Sequence, residues 1–259
     1  MKESDIIFGL MATSDKEEFS INDLKYLVKP FKITESCLRT NLSRMRRKDL
    51  LKSRRDGKRV YYSFGKRGKT IKSNVALSFK SLDWSRWNNS WWGMLFSVPD
   101  IKKSKRYYIR KKLLAYRFVS LYPGFWIRPF NEKENIKDSL KNLIGNKFCR
   151  IIKFYYFYNI SNEEVKKLWK LDEVNRSFKY GLRIIKKSRE KLKTLSPDKG
   201  LIEEIIVGGK IVKILFKDPL LPKKFLSIDW QGEELKEKFS IWIKEIKKIS
   251  KPYWEKIFK

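Results

Sequence analysis

A chain of 259 residues can bury a full core and has room for two or three small domains. Its 61 Lys and Arg outnumber 29 Asp and Glu, a formal charge of +32 that points to a polyanionic partner, either nucleic acid or an anionic membrane surface. Histidine is absent, which removes serine–histidine and cysteine–histidine nucleophiles, histidine acid–base catalysis and mixed Cys/His zinc sites. The two cysteines, Cys37 and Cys149, are too few and too far apart for a disulfide framework or a metal site.

The charge is unevenly placed. Residues 1–23 carry two Lys against six acids, a net of −4, whereas residues 31–80 carry sixteen Lys or Arg against three acids, a net of +13. A uniformly basic background would not give that contrast. Apolar stretches such as LIEEIIVGGKIVKILF are broken by charges well short of the roughly twenty residues that span a bilayer. No basic start, apolar run and small-residue cleavage site opens the sequence, so a cytoplasmic protein with no membrane partner is expected.

Three short helices come first: residues 3–13, residues 21–29 after the N-cap candidate Ser20, and residues 35–48 after the N-cap candidate Thr34, with Pro30 between the last two. In the third, Leu38, Leu42 and Met45 form an inward stripe. Its other face carries Ser36, Arg39, Thr40, Ser43, Arg44 and Arg47, where short hydroxyl side chains permit close approach to a major groove and arginine can fork onto guanine. The stretch LKSRRDGKRVYYSF then reads as a hairpin, because Asp56-Gly57 tolerates the positive φ of a tight two-residue turn. Val60, Tyr62 and Phe64 fall on one face of it, and Arg59, Tyr61 and Ser63 on the other. Arg54, Arg55, Lys58 and Arg59 crowd its tip, a repulsion that helps only if a polyanion lies nearby. Three helices and a basic hairpin predict a winged helix-turn-helix, with the hairpin as the wing.

Residues 65–90 read as a connector holding the domain boundary. Beyond it WWGMLFSVP predicts a buried strand, residues 102–117 a helix, VSLYPGFWIRP a strand with a turn at Pro123-Gly124, residues 133–143 a helix, and FCRIIKFYYF a strand. That alternation fits a small ferredoxin-like α/β sandwich. From about residue 161 the pattern is helical, interrupted at Ser196-Pro197 and by KDPLLPKKFLSIDWQG. The expected class is therefore α+β, with a winged helix-turn-helix at 1–80, a ferredoxin-like middle domain at 81–160 and a helical C-terminal domain at 161–259.

Three segments resemble one family, the PaaX-like repressors of phenylacetic acid degradation. They are ITESCLRTNLSRMRRKDLLKSRRDGKRVYYSF, similar to the family's recognition helix and wing; WWGMLFSVPDIKKSKRYYIRKKLLAYRFVSLYPGFWIRP, similar to the opening of its middle domain; and DPLLPKKFLSIDWQG, similar to its C-terminal Asp-Pro-Leu-Leu-Pro and Trp-x-Gly element. The resemblance implies a dimeric transcriptional repressor with those three domains, bound to a palindromic operator in double-stranded DNA and released by an aryl-CoA thioester such as phenylacetyl-CoA. No cofactor, catalytic residue or metal is implied. A thioester of that kind joins an anionic end to an apolar one. Trp91, Trp92, Arg110, Trp126 and Trp230 are the candidate effector-binding residues on those grounds.

Two other readings compete. The middle region also looks like small CRISPR-associated ferredoxin-like endoribonucleases, in which an Asp ending the first strand supports a metal; Asp100 stands at that place. A lone carboxylate ahead of a helix is more simply its N-cap, and phosphodiester cleavage needs several hard oxygen ligands. An architectural or RNA-binding protein would use the same basic surface.

Overall fold

The computed structural model describes residues 1–79, 81–99, 103–134, 140, 143, 147–155 and 160–258. Local signals set its first elements. Helix α1 spans Glu3–Thr13, and a two-residue strand β1, Phe19–Ser20, leads into helix α2, Ile21–Val28. Ser20 closes a capping box: its hydroxyl accepts from the Asp23 N–H at 3.1 Å, and the Asp23 carboxylate accepts from the Ser20 N–H at 2.8 Å. A single 3₁₀ turn, Lys29–Phe31, carries Pro30. Helix α3, Glu35–Arg47, starts at Thr34, whose hydroxyl accepts from the Cys37 N–H.

Strands β2, Leu51–Asp56, and β3, Arg59–Phe64, pair antiparallel with Asp56 opposite Arg59, so the two turn residues are Gly57 and Lys58 and not the expected Asp56-Gly57: Asp56 stays in the strand, and Gly57 alone supplies the positive φ. Strand β1 joins the far side of β3, giving the order β1-β3-β2. The period of two sends Tyr62 and Phe64 toward the core, where Phe64 meets Phe8 at 5.0 Å between ring centroids. Ser63, on the opposite side of the strand, is also buried, covered on a face expected to be open.

Residues 66–78 depart from the expected connector: Lys66–Ser78 forms helix α4. It packs onto β2 and β3 by letting its first turn approach the α3–β2 junction very closely. A Cβ at Gly68 would stand 2.1 Å from the Leu50 carbonyl oxygen, so glycine is what this close approach requires.

Among the described residues the further strands and α-helices are β4, Trp91–Phe96; α5, Lys103–Ala115; β5, Val119–Tyr122; β6, Phe125–Pro129; β7, Cys149–Phe154; α6, Asn162–Leu168; α7, Leu171–Lys191; α8, Pro197–Leu215; and α9, Gly232–Trp254. The chain divides into two compact units. The first joins residues 1–79 with 176–217 and 231–259; the second joins 80–175 with 218–230. The three sequence segments thus distribute over two units, because most of the C-terminal helices share the N-terminal core. Leu201 and Ile205 of α8 and Tyr253 of α9 are buried with Ile7, Leu10, Leu24, Leu27, Leu38 and Leu42. The Tyr253 hydroxyl donates to the Tyr26 carbonyl at 2.9 Å and the two rings stack at 4.6 Å.

In the second unit a four-stranded antiparallel sheet has the order β5-β6-β4-β7, with β5 and β6 joined by the turn at Pro123-Gly124. Strand β4 lies between β6 and β7, and all of its residues except the exposed Leu95 are buried, which is why it reads as an unbroken apolar run. Trp92, Met94 and Phe96 pack with Ile109 and Leu113 of α5 on one face. Trp91 and Ile127 pack on the other with Val165, Trp169, Leu221 and Phe225. The helix expected over 133–143 falls mostly on residues outside those described, as does Asp100.

Candidate nucleic-acid interface

Helix α3 is oriented by its buried side. Leu38, Leu42 and Met45 are each at most 2% exposed, so the helical repeat turns Ser36, Arg39, Thr40, Ser43, Arg44 and Arg47 outward, and all six are exposed. Asn41 is buried instead; its amide donates back to the Cys37 carbonyl at 3.0 Å. Arg46 and Lys48, not singled out in the sequence, are exposed as well.

The ten residues expected to meet DNA fall into two electrostatic groups. Arg39 is tied by its Nε and Nη2 to Glu35 Oε1, at 2.9 and 2.7 Å, and Lys25 reaches the same oxygen at 2.7 Å. Those hydrogen bonds, from Lys25 first and Arg39 second, hold the Glu35 carboxyl below its ordinary range. Arg54 is tied to Glu18 at 3.0 Å and to Asp56 at 3.2 Å, and its guanidinium lies 5.0 Å from the centre of the Tyr61 ring. The hydrogen bonds that Arg54 donates, to Glu18 first and Asp56 second, raise its already high pKa. Arg44, Arg47, Arg55, Lys58 and Arg59 are exposed and have no ion-pair partner among the described residues.

Sequence reading missed the cations of α4. Lys66, Arg67, Lys69 and Lys72 are exposed on a helix that packs against the base of the hairpin, and Lys72 lies over the Phe64 ring at 5.7 Å. Two glycines and a polar composition hid the helix, and with it the position of its charges.

The five effector candidates do not form one site. Trp92 and Trp126 are buried on the α5 side of the sheet, and Trp91 and Trp230 pack on the other side. Arg110 is exposed on the outer face of α5. Arg128 of the WIRP stretch is likewise a core residue: it donates to the Tyr116 carbonyl at 2.8 Å and pairs with Glu134, with 3% of its side chain exposed. One cavity of about 740 Å³ in this unit does combine aromatics with a cation. Trp87, Asn89, Trp91, Tyr155, Lys224 and Phe225 line it, and Lys224 sits 4.7 Å over the Trp87 ring while donating to the Asn89 amide oxygen. Among the described residues no three His, Cys, Asp or Glu side chains converge as metal ligands would.

A cationic helix face beside a cationic hairpin, on an apolar core that fixes both, defines the class of nucleic-acid-meeting α+β proteins. Comparison with known proteins is consistent with that class. Residues 5–68 match the PaaX-like protein family, residues 85–165 the PaaX protein central Cas2-like domain, and residues 169–256 the PaaX-like protein C-terminal domain. The chain belongs to the PaaX-like family. It is 21% identical over 228 residues to the transcriptional repressor PaaX of Escherichia coli strain K12, covering 85% of this chain and 72% of that protein. Its fold is shared, at a TM-score of 0.57 and 18% identity, with an uncharacterized protein, Rv0674, from Mycobacterium tuberculosis, over 97% of each chain.

Proposed function

We infer that this protein is a DNA-binding transcriptional repressor and not an enzyme. Residues 1–79 act as a winged helix-turn-helix, with α3 entering a major groove and the β2–β3 hairpin as the wing on the flanking phosphates. The observation that carries the reading is the set of five exposed cations without acidic partners, Arg44 and Arg47 on α3 and Arg55, Lys58 and Arg59 on the hairpin, held on two adjacent elements of one core. Ser36, Thr40 and Ser43 allow the close approach between them, while Arg39 and Arg54 must first leave their acids. The similarity to the Escherichia coli repressor supports the same conclusion.

The sheet order β5-β6-β4-β7, with α5 after the first strand, supports a ferredoxin-like middle domain. The protein works as a symmetric homodimer on a palindromic operator, since one winged helix covers too few base pairs for genomic selectivity. An aryl-CoA thioester such as phenylacetyl-CoA releases it. Of the five effector candidates Trp91 fits best, because it lines the aromatic cavity that also holds Lys224.

The test is a titration of duplex DNA by the full chain. Arg44→Ala is expected to weaken a cognate site far more than random duplex, and equal weakening on both would place Arg44 on a phosphate. Calorimetry with phenylacetyl-CoA, with and without operator, tests release: by linkage each ligand must weaken the other by the same factor. Identical thioester affinity in both cases would remove the effector from the reading and leave the DNA half standing.

A further inference from the structure

Helix α5 carries Lys103, Lys105, Arg106, Arg110, Lys111 and Lys112 within thirteen residues and no acid. Its inner side is fixed by Ile109 and Leu113, both fully buried, and Arg106 donates to the Val98 carbonyl at 2.7 Å. The helical repeat therefore gathers Lys103, Tyr107, Arg110, Lys111 and Leu114 on the outer face, with Tyr108 at its margin. Tyr107 is 67% exposed, Tyr108 45% and Leu114 58%. Lys103, Arg110 and Lys111 have no ion-pair partner among the described residues. Each tyrosine has a lysine four residues on, Lys111 at 5.9 Å from the Tyr107 ring centre and Lys112 at 6.0 Å from that of Tyr108.

We propose that this face of α5 is a binding surface for single-stranded nucleic acid, held by backbone charge and by stacking of unpaired bases on Tyr107 and Tyr108. Six like charges on one helix repel, and exposed rings and a leucine keep apolar area in water; a partner that is both anionic and flat-faced relieves both costs. A duplex supplies the charge but keeps its base faces inside, leaving the rings nothing to stack on. An anionic bilayer would need an apolar helix face to insert, and the apolar face of α5 is already committed to the sheet. The surface lies outside residues 1–79, so this proposal is independent of the operator reading.

The experiment uses the full chain with Arg54, Arg55, Lys58 and Arg59 all changed to Ala, so that the hairpin does not mask a weaker site. Fluorescence anisotropy is read with labelled dT20, U20 and a blunt duplex of the same length. Tyr107→Ala with Tyr108→Ala should weaken single-strand binding about tenfold or more and leave the duplex unchanged, while Phe at both positions should retain binding. Lys103→Ala with Arg110→Ala and Lys111→Ala should flatten the logarithmic salt slope on the single strand by about 0.7 for each phosphate no longer neutralised. Comparing dT20 with U20 shows whether DNA or RNA is preferred. No effect of the double Ala change on either single strand, an equal loss on the duplex, or tyrosine-dependent binding to anionic phospholipid vesicles in place of dT20 would each overturn the proposal.

Discussion

Glu35 restrains Arg39, one of the residues proposed to read DNA. One turn earlier on the helix, its Oε1 accepts from both the Nε and the Nη2 of Arg39, and its charge lies where phosphates would approach. Its carboxyl is held below the ordinary range, so the ion pair is complete above the unfolded carboxylate pKa and is lost only as pH falls through the lowered folded value. At neutral pH Arg39 is therefore tethered. Glu35→Gln should tighten duplex binding severalfold at pH 7 and leave the melting temperature unchanged, because the pair is exposed. Anisotropy and a thermal melt check the two halves. Arg44 has no such tether, and Arg44→Ala is expected to cost about 1 to 3 kcal/mol on a cognate site and to relax specificity at the base it reads. Titration against a panel of singly substituted sites measures it.

At the scale of elements, the capped helices and the hairpin were legible because their signals are local. Ser20 and Asp23, Thr34, and Gly57 each act within four residues, although the hairpin turn falls one residue later than Asp56-Gly57 suggested. Helix α4 was not legible, since Gly65 and Gly68 argue for a loop, and the reason for Gly68 lies in the carbonyl of Leu50, eighteen positions earlier. The tie of Arg54 to Glu18 spans 36 positions and was invisible for the same reason. Gly68→Ala should destabilise the first unit by about 1 to 3 kcal/mol, read as a lower urea midpoint with an unchanged slope. The hairpin is expected to supply mainly sequence-independent affinity. Changing Arg54, Arg55, Lys58 and Arg59 to Ala should flatten the salt slope on duplex DNA by about 0.9 for each phosphate left without its cation. An unchanged slope would take the hairpin out of the interface.

The whole molecule does not follow the order of its sequence. Helices from the C-terminal third complete the N-terminal core, through Leu201, Ile205 and Tyr253, and the exposed pair Lys213–Asp5 adds a surface contact between α8 and α1. Sequence periodicity showed that these helices had apolar faces and not what they faced, because nothing in a 3.6-residue repeat names a partner some 200 positions away. One consequence is that residues 1–79 alone expose that face: the fragment should melt well below the full chain and less cooperatively, as circular dichroism can show.

The claim that the exposed faces of α3 and the hairpin read duplex DNA is tested most directly by selecting sites from a random-sequence duplex pool with the full chain. The expected result is enrichment of a palindrome whose half-sites lie about 10 to 10.5 base pairs, or a multiple, apart. It should bind about a thousandfold or more tighter than random DNA, a ratio that survives higher salt and collapses with Arg44→Ala. Recovery of no common sequence, with one affinity for all duplexes that salt abolishes uniformly, would contradict it.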